Sequence, residues 1–113
     1  MQPVIEIEPI EETRGDDWIW PFLLTDENDA AIDLNGCAFD GAAIKWRDGE
    51  LPLTLTNGRL AVDAAAGAIT ITVARADTVG VPDGQRSRAV LPIVDSLNRK
   101  STLLIIPIRV IAP

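Results

Sequence analysis

The sequence predicts an all-β fold, an immunoglobulin-like antiparallel β-sandwich of seven to eight strands. Three observations carry that prediction. Short runs rich in β-branched residues recur along the chain, separated by clusters of Gly, Pro, Asn and Asp. Helical spacing of apolar residues is nearly absent. Several runs alternate apolar and polar residues with the period of two that buries one face of a strand. A length of 113 residues fits one domain, 1–113, and roughly two-thirds of the surface of such a chain can be buried around a single core. With 47% apolar and 24% charged residues, the composition is that of a globular chain rather than a disordered one.

The elements follow in order. Residues 4–7 form a first run that ends near Pro9, so residues 1–12 read as a terminal arm or an edge strand. Residues 17–25 place Trp18, Trp20, Phe22 and Leu24 on one face, the heaviest apolar stripe in the chain and the predicted anchor of the core. A polar loop over residues 25–34 leads to a strand over residues 38–47 that Asp48-Gly49 closes. Asn57-Gly58, between runs at 53–56 and 59–62, is the strongest short hairpin signal. Residues 64–67 bend the chain into the clean alternation of Ile69, Ile71 and Val73 with Thr70 and Thr72, and residues 77–84 have room for one helical turn. Residues 88–95 and 102–111 form a closing pair joined by residues 96–100.

That last run is apolar on both sides. Leu104, Ile106, Ile108 and Val110 share one face, while Leu103, Ile105 and Ile111 occupy the other. Pro107 cannot donate to a ladder, which favours an edge position. An apolar edge strand invites aggregation unless something covers it, so either a permanent protein partner or the domain's own first strand is expected there. Ile105, Pro107, Arg109 and Ile111 are therefore the candidate interface residues.

Composition also narrows the function classes. The net charge of −7, from 17 acidic and 10 basic residues, repels phosphate backbones and anionic headgroups, so neither nucleic acid nor a membrane is an expected partner. Residues 1–17 lack a basic segment followed by an apolar one, and the longest apolar stretch, 103–108, is far short of the ~20 residues that span a bilayer. The expectation is a soluble protein made in the cytoplasm. The single cysteine, Cys37, has no disulfide partner and reads as a small buried or half-buried hydrophobe.

No catalytic constellation is expected, and the chain reads as a non-enzyme. There is no histidine to serve as an imidazole base and no tyrosine to replace it. Neither GxxxxGK[ST] nor GxGxxG occurs, so no nucleotide cofactor is implied. Asp26-Glu27-Asn28-Asp29 begins like a calcium loop, but Ala30, Ala31 and Cys37 stand where a ligand, the glycine and the bidentate glutamate belong. No metal is expected. Glu11, Glu12, Asp16 and Asp17 could pair as acid and base, though adjacent carboxylates arise by chance among 17 acids. Arg14-Gly15-Asp16 reads as a turn feeding a strand rather than an adhesion motif. Trp18 and Trp20 read as core, with a sugar-stacking platform as the alternative.

One further pattern is more specific. The turn Arg14-Gly15-Asp16, the aromatic strand after it, Thr25-Asp26-Glu27 and then Ile32-Asp33-Leu34-Asn35-Gly36-Cys37 resemble small β-sandwich domains of tailed-phage and prophage tail proteins, similar to the N-terminal domain of upper baseplate proteins. Residues 67–73 and the closing pair extend the resemblance over nearly the whole chain. Where that family has Gly and Pro before the Ile-Asp-Leu string, this chain has Asp29, Ala30 and Ala31. The resemblance implies a structural virion protein of a tail, baseplate or neck, without catalytic residues or cofactors. Its partners would be other virion proteins and copies of itself. A capsid decoration protein of the same fold and a carbohydrate-binding module using exposed tryptophans are the alternatives.

Overall fold

The computed structural model describes residues 5–6, 10–25, 28–82 and 86–112. Among them are nine strands and one turn of helix: β1 (Ile5–Glu6), β2 (Ile10–Thr13), β3 (Trp18–Leu23), β4 (Ala43–Trp46), β5 (Gly49–Pro52), β6 (Leu60–Asp63), β7 (Ala68–Val73), α1 (Arg75–Thr78), β8 (Arg86–Val94) and β9 (Lys100–Ile111). The all-β expectation holds. The larger sheet has the order β1-β9-β8-β4-β5, with β2 also pairing β9, and the smaller has the order β3-β7-β6.

Both sheets contribute to one apolar core. The period of two turns Trp18 and Trp20 of β3 to the same side, where their rings stack with centroids 5.8 Å apart and planes 17° from parallel. Opposite them in register stand Val73 and Ile71 of β7, and the larger sheet supplies Ile44, Leu91, Leu104, Ile106 and Ile108. Each buried indole keeps a partner for its N–H. Trp18 Nε1 donates to the Thr13 carbonyl at 2.9 Å, and Trp20 Nε1 donates to Glu12 Oε1 at 3.0 Å. Both bonds tie β3, in the smaller sheet, to β2, in the larger.

Several expectations are corrected. The sheets are not purely antiparallel, because β1 and β2 run parallel to β9. Nine strands replace the expected seven to eight, since the region 1–12 carries two short strands. The strand predicted over 38–47 shrinks to β4, because Gly41 has φ +88° and Ala38 makes only an isolated bridge to Val94. The helical turn falls at α1, slightly before the predicted segment.

A larger departure in topology concerns Asn57-Gly58, which joins no hairpin. β5 pairs β4 in the larger sheet, while β6 pairs β7 in the smaller, so the turn carries the chain between sheets. A two-residue hairpin of the Asn-Gly kind needs positive φ at both residues. Here Gly58 has φ +78° and Asn57 does not share it. The Asn57 side chain works locally instead: its Oδ1 accepts from the amides of Thr54 (3.2 Å) and Arg59 (2.9 Å), and its Nδ2 donates to the Pro52 carbonyl (3.1 Å).

The last strand also differs from expectation, for β9 is not an edge. β8 pairs one side of it, while β1 and then β2 pair the other. Pro107 falls between Ile105, the last residue paired with β1, and Ile108, the first paired with β2. A missing donor there breaks neither of those two ladders. The chain's own N-terminal strands thus cover the side of β9 that the sequence left open.

Candidate functional site

The four candidate interface residues share the face of β9 that points away from the core. Ile105 and Pro107 are half-buried, Arg109 is exposed, and Ile111 is 37% exposed. Val90 of β8 and Ala43 of β4 stand beside Ile105 in register, and Arg88 and Lys45 stand beside Pro107. The outer face of the larger sheet therefore carries an apolar row next to a cationic one.

Beyond Lys45 and Arg88 the pairing of β4 with β8 ends. A groove of about 470 Å³ opens there, lined by Lys45, Trp46, Arg47, Ser87, Arg88, Ile105 and Pro107. Its indole crosses the β4–β5 hairpin backbone: a Cβ on Gly49 would lie 2.9 Å from Trp46 Nε1, so a larger residue there would push the ring aside. Lys45, Arg47 and Arg88 make no ion pair among the described residues. Glu50, the register partner of Lys45 on β5, does not line the groove. The described lining of the groove is thus basic in a protein of net charge −7. The sequence reading placed Ile105 and Pro107 but missed the cations. Their signal was outward alternation, with Lys45 on β4, Arg47 in the turn that follows it and Arg88 on β8.

The other candidates resolve into structural roles. In Arg14-Gly15-Asp16, Gly15 has φ +96° and its amide donates to Thr78 Oγ1 at 2.9 Å. The Thr78 hydroxyl in turn lies 3.0 Å from the carbonyls of Asp16 and Arg75. Asp17 accepts from the Arg75 amide at 2.6 Å and pairs with its guanidinium at 3.5 Å. The tripeptide is thereby fastened to α1. Glu12 is occupied by the Trp20 indole.

Trp18 and Trp20 lie in the core, so neither presents a ring face to a sugar, and Trp46 is half-buried. Asp26 and Glu27, the start of the calcium-loop comparison, lie outside the described residues. Among the described residues no group of three or more His, Cys, Asp or Glu could hold a metal ion. Cys37 lines a second cleft, of about 450 Å³, between the corner at Asp33–Asn35 and the β8–β9 turn. Burial, with the charges of Asp95 and Asp33, pushes its thiol above the ordinary value, which leaves it protonated and unreactive near neutrality.

These arrangements place apolar and cationic side chains together on the outer face of the larger sheet. A comparison with known protein families finds no family that matches the chain, and a comparison with curated protein sequences finds no match.

Proposed function

We propose that this chain is a structural virion protein of a tailed bacteriophage, an immunoglobulin-like β-sandwich built into a tail, baseplate or neck by protein–protein assembly. The observation that carries the reading is the outer face of the larger sheet, where half-buried Ile105, Pro107 and Val90 lie against Lys45 and Arg88. Interfaces combine apolar contact with arginine in this way. The resemblance of the Ile32-to-Cys37 corner and the Arg14-Gly15-Asp16 turn to phage tail domains supplies the address.

Mass spectrometry of purified particles from a phage that encodes the chain tests this directly. The protein is expected in the particle at a fixed copy number with its neighbours cross-linked to the outer sheet face. A chain found only in the lysate, monomeric and uncaptured by any virion protein, overturns the reading.

A further inference from the structure

We propose that Asn35 is a deamidation site of the folded chain, while Asn57, in the same Asn-Gly dipeptide, is held closed by its turn. An asparagine followed by glycine is open to this reaction because no Cβ shields the glycine nitrogen. That nitrogen attacks the asparagine Cγ, the Cγ–Nδ2 bond breaks, and ammonia leaves with the proton of the attacking amide. Water then opens the succinimide ring to aspartate or isoaspartate. No other reactant is needed.

The two sites differ in what binds the reacting groups, not in the backbone at glycine. Gly36 and Gly58 have φ +79° and +78°, and both asparagines are exposed. At Asn57 every reacting group is engaged. Its Oδ1 accepts from the amides of Thr54 (3.2 Å) and Arg59 (2.9 Å), its Nδ2 donates to the Pro52 carbonyl (3.1 Å), and the Gly58 amide donates to the Leu55 carbonyl (3.4 Å). The two donors on Oδ1 polarise Cγ, yet closing the ring turns that oxygen away from both, so the turn has to open first. At Asn35 neither the side-chain amide nor the Gly36 nitrogen makes a hydrogen bond among the described residues. The bonds of that corner run elsewhere. The Asn35 backbone N–H donates to Asp33 Oδ1 at 2.9 Å, and the Cys37 N–H donates to the Leu34 carbonyl at 3.1 Å. The peptide between Asn35 and Gly36 can therefore rotate to bring nitrogen and Cγ together while the Leu34–Cys37 bond stays made, since glycine tolerates either orientation. Either product places a new carboxylate in the cleft that Asp33, Cys37 and Asp95 line.

Peptide mapping by mass spectrometry of the full chain, aged at pH 8 in native buffer and in urea, tests the proposal. In native buffer the peptide holding Asn35 is expected to gain one dalton about tenfold or more faster than the peptide holding Asn57, because only the open fraction of the second turn reacts. In urea the two rates should converge to within a few-fold, since the dipeptide is the same. Thr54→Ala removes the hydroxyl that accepts from the Asn57 N–H at 3.0 Å. That variant should convert Asn57 several-fold faster in native buffer and leave the rate at Asn35 unchanged. Native conversion at Asn35 no faster than at Asn57 overturns the proposal. So does an excess at Asn35 that persists in urea, which traces the difference to neighbouring sequence rather than to the fold. An Asn57 rate that Thr54→Ala leaves as slow as before overturns the protection assigned to its turn.

Discussion

Thr78 shows how much one side chain can organise. It is fully buried, and its hydroxyl accepts from the Gly15 amide 63 residues away while facing the carbonyls of Asp16 and Arg75. Replacing it with valine keeps the volume but leaves the Gly15 N–H unpaired. Thr78→Val is expected to cost about 1–3 kcal/mol in urea denaturation, with Thr78→Ser costing less because the hydroxyl remains. Cys37 gives a second expectation at this scale. Because its thiol is held above the ordinary value, alkylation by iodoacetamide at pH 8 should be slower in the native chain than in urea, and the gap should close as the pH rises past the raised value. A native rate equal to the unfolded one would place Cys37 in open solvent. The aromatic stripe of β3 was legible because it needs only a period of two. Thr78 was not, since it matters through residues that only the fold brings near.

Among the elements, the turns separate what local chemistry decides from what packing decides. Gly58 and Gly67 both have positive φ, at +78° and +65°. A Cβ on Gly58 would meet nothing, whereas one on Gly67 would lie 2.7 Å from the carbonyls of Leu24 and Ile32. Gly58→Ala is therefore expected to cost about 1–2 kcal/mol from backbone conformation alone. Gly67→Ala adds a steric conflict with backbone that cannot swing away, for about 3 kcal/mol or more in total. Equal losses in chemical denaturation would refute the close packing at Gly67.

The β8–β9 turn carries a pH expectation. Asp95 accepts from the amides of Arg99 and Leu97 and from Arg99 Nε, each at 2.9 Å. The Arg99 amide first, with the other bonds and the guanidinium charge, holds this carboxyl below its ordinary value. A depressed acid stabilises the fold above the ordinary aspartate value of about 3.9 and loses that contribution as the pH falls through its folded value. NMR titration should find Asp95 ionising below about 3.9, with Leu97 and Arg99 amide protection falling in step. Titration at or above that value would mean the turn is open in solution. This closing turn was legible in the sequence, since the strands it joins are neighbours. Asn57-Gly58 was legible as a turn and misleading as a hairpin, because pairing on either side of it is set by sheets that local chemistry does not see.

At the scale of the whole molecule, β9 is the spine. Its twelve residues, at about 3.3 Å each, extend about 40 Å and match the longest dimension of 41 Å. β8 covers one side by a short turn, but the other side depends on β1 and β2, which reach it from the far end of the chain and run parallel to it. Parallel pairing over nearly the whole sequence leaves no local signature, so an apolar strand containing Pro107 could only be read as an edge. The pairing makes the N-terminal segment part of the fold's closure, since Glu12 and Thr13 also take the indole hydrogens of the two core tryptophans. Removing residues 1–13 is therefore expected to strip β9 of its cover, orphan both indole N–H groups and send the remaining chain into aggregates by edge pairing. A synthetic peptide of residues 1–13 added during refolding should restore a soluble species that co-elutes with it, by adding the missing strands back to the same edge. A truncated chain that stays monomeric and unfolds at the same urea concentration as the intact one would show that β9 tolerates an open side, and would return the covering of that edge to an outside partner.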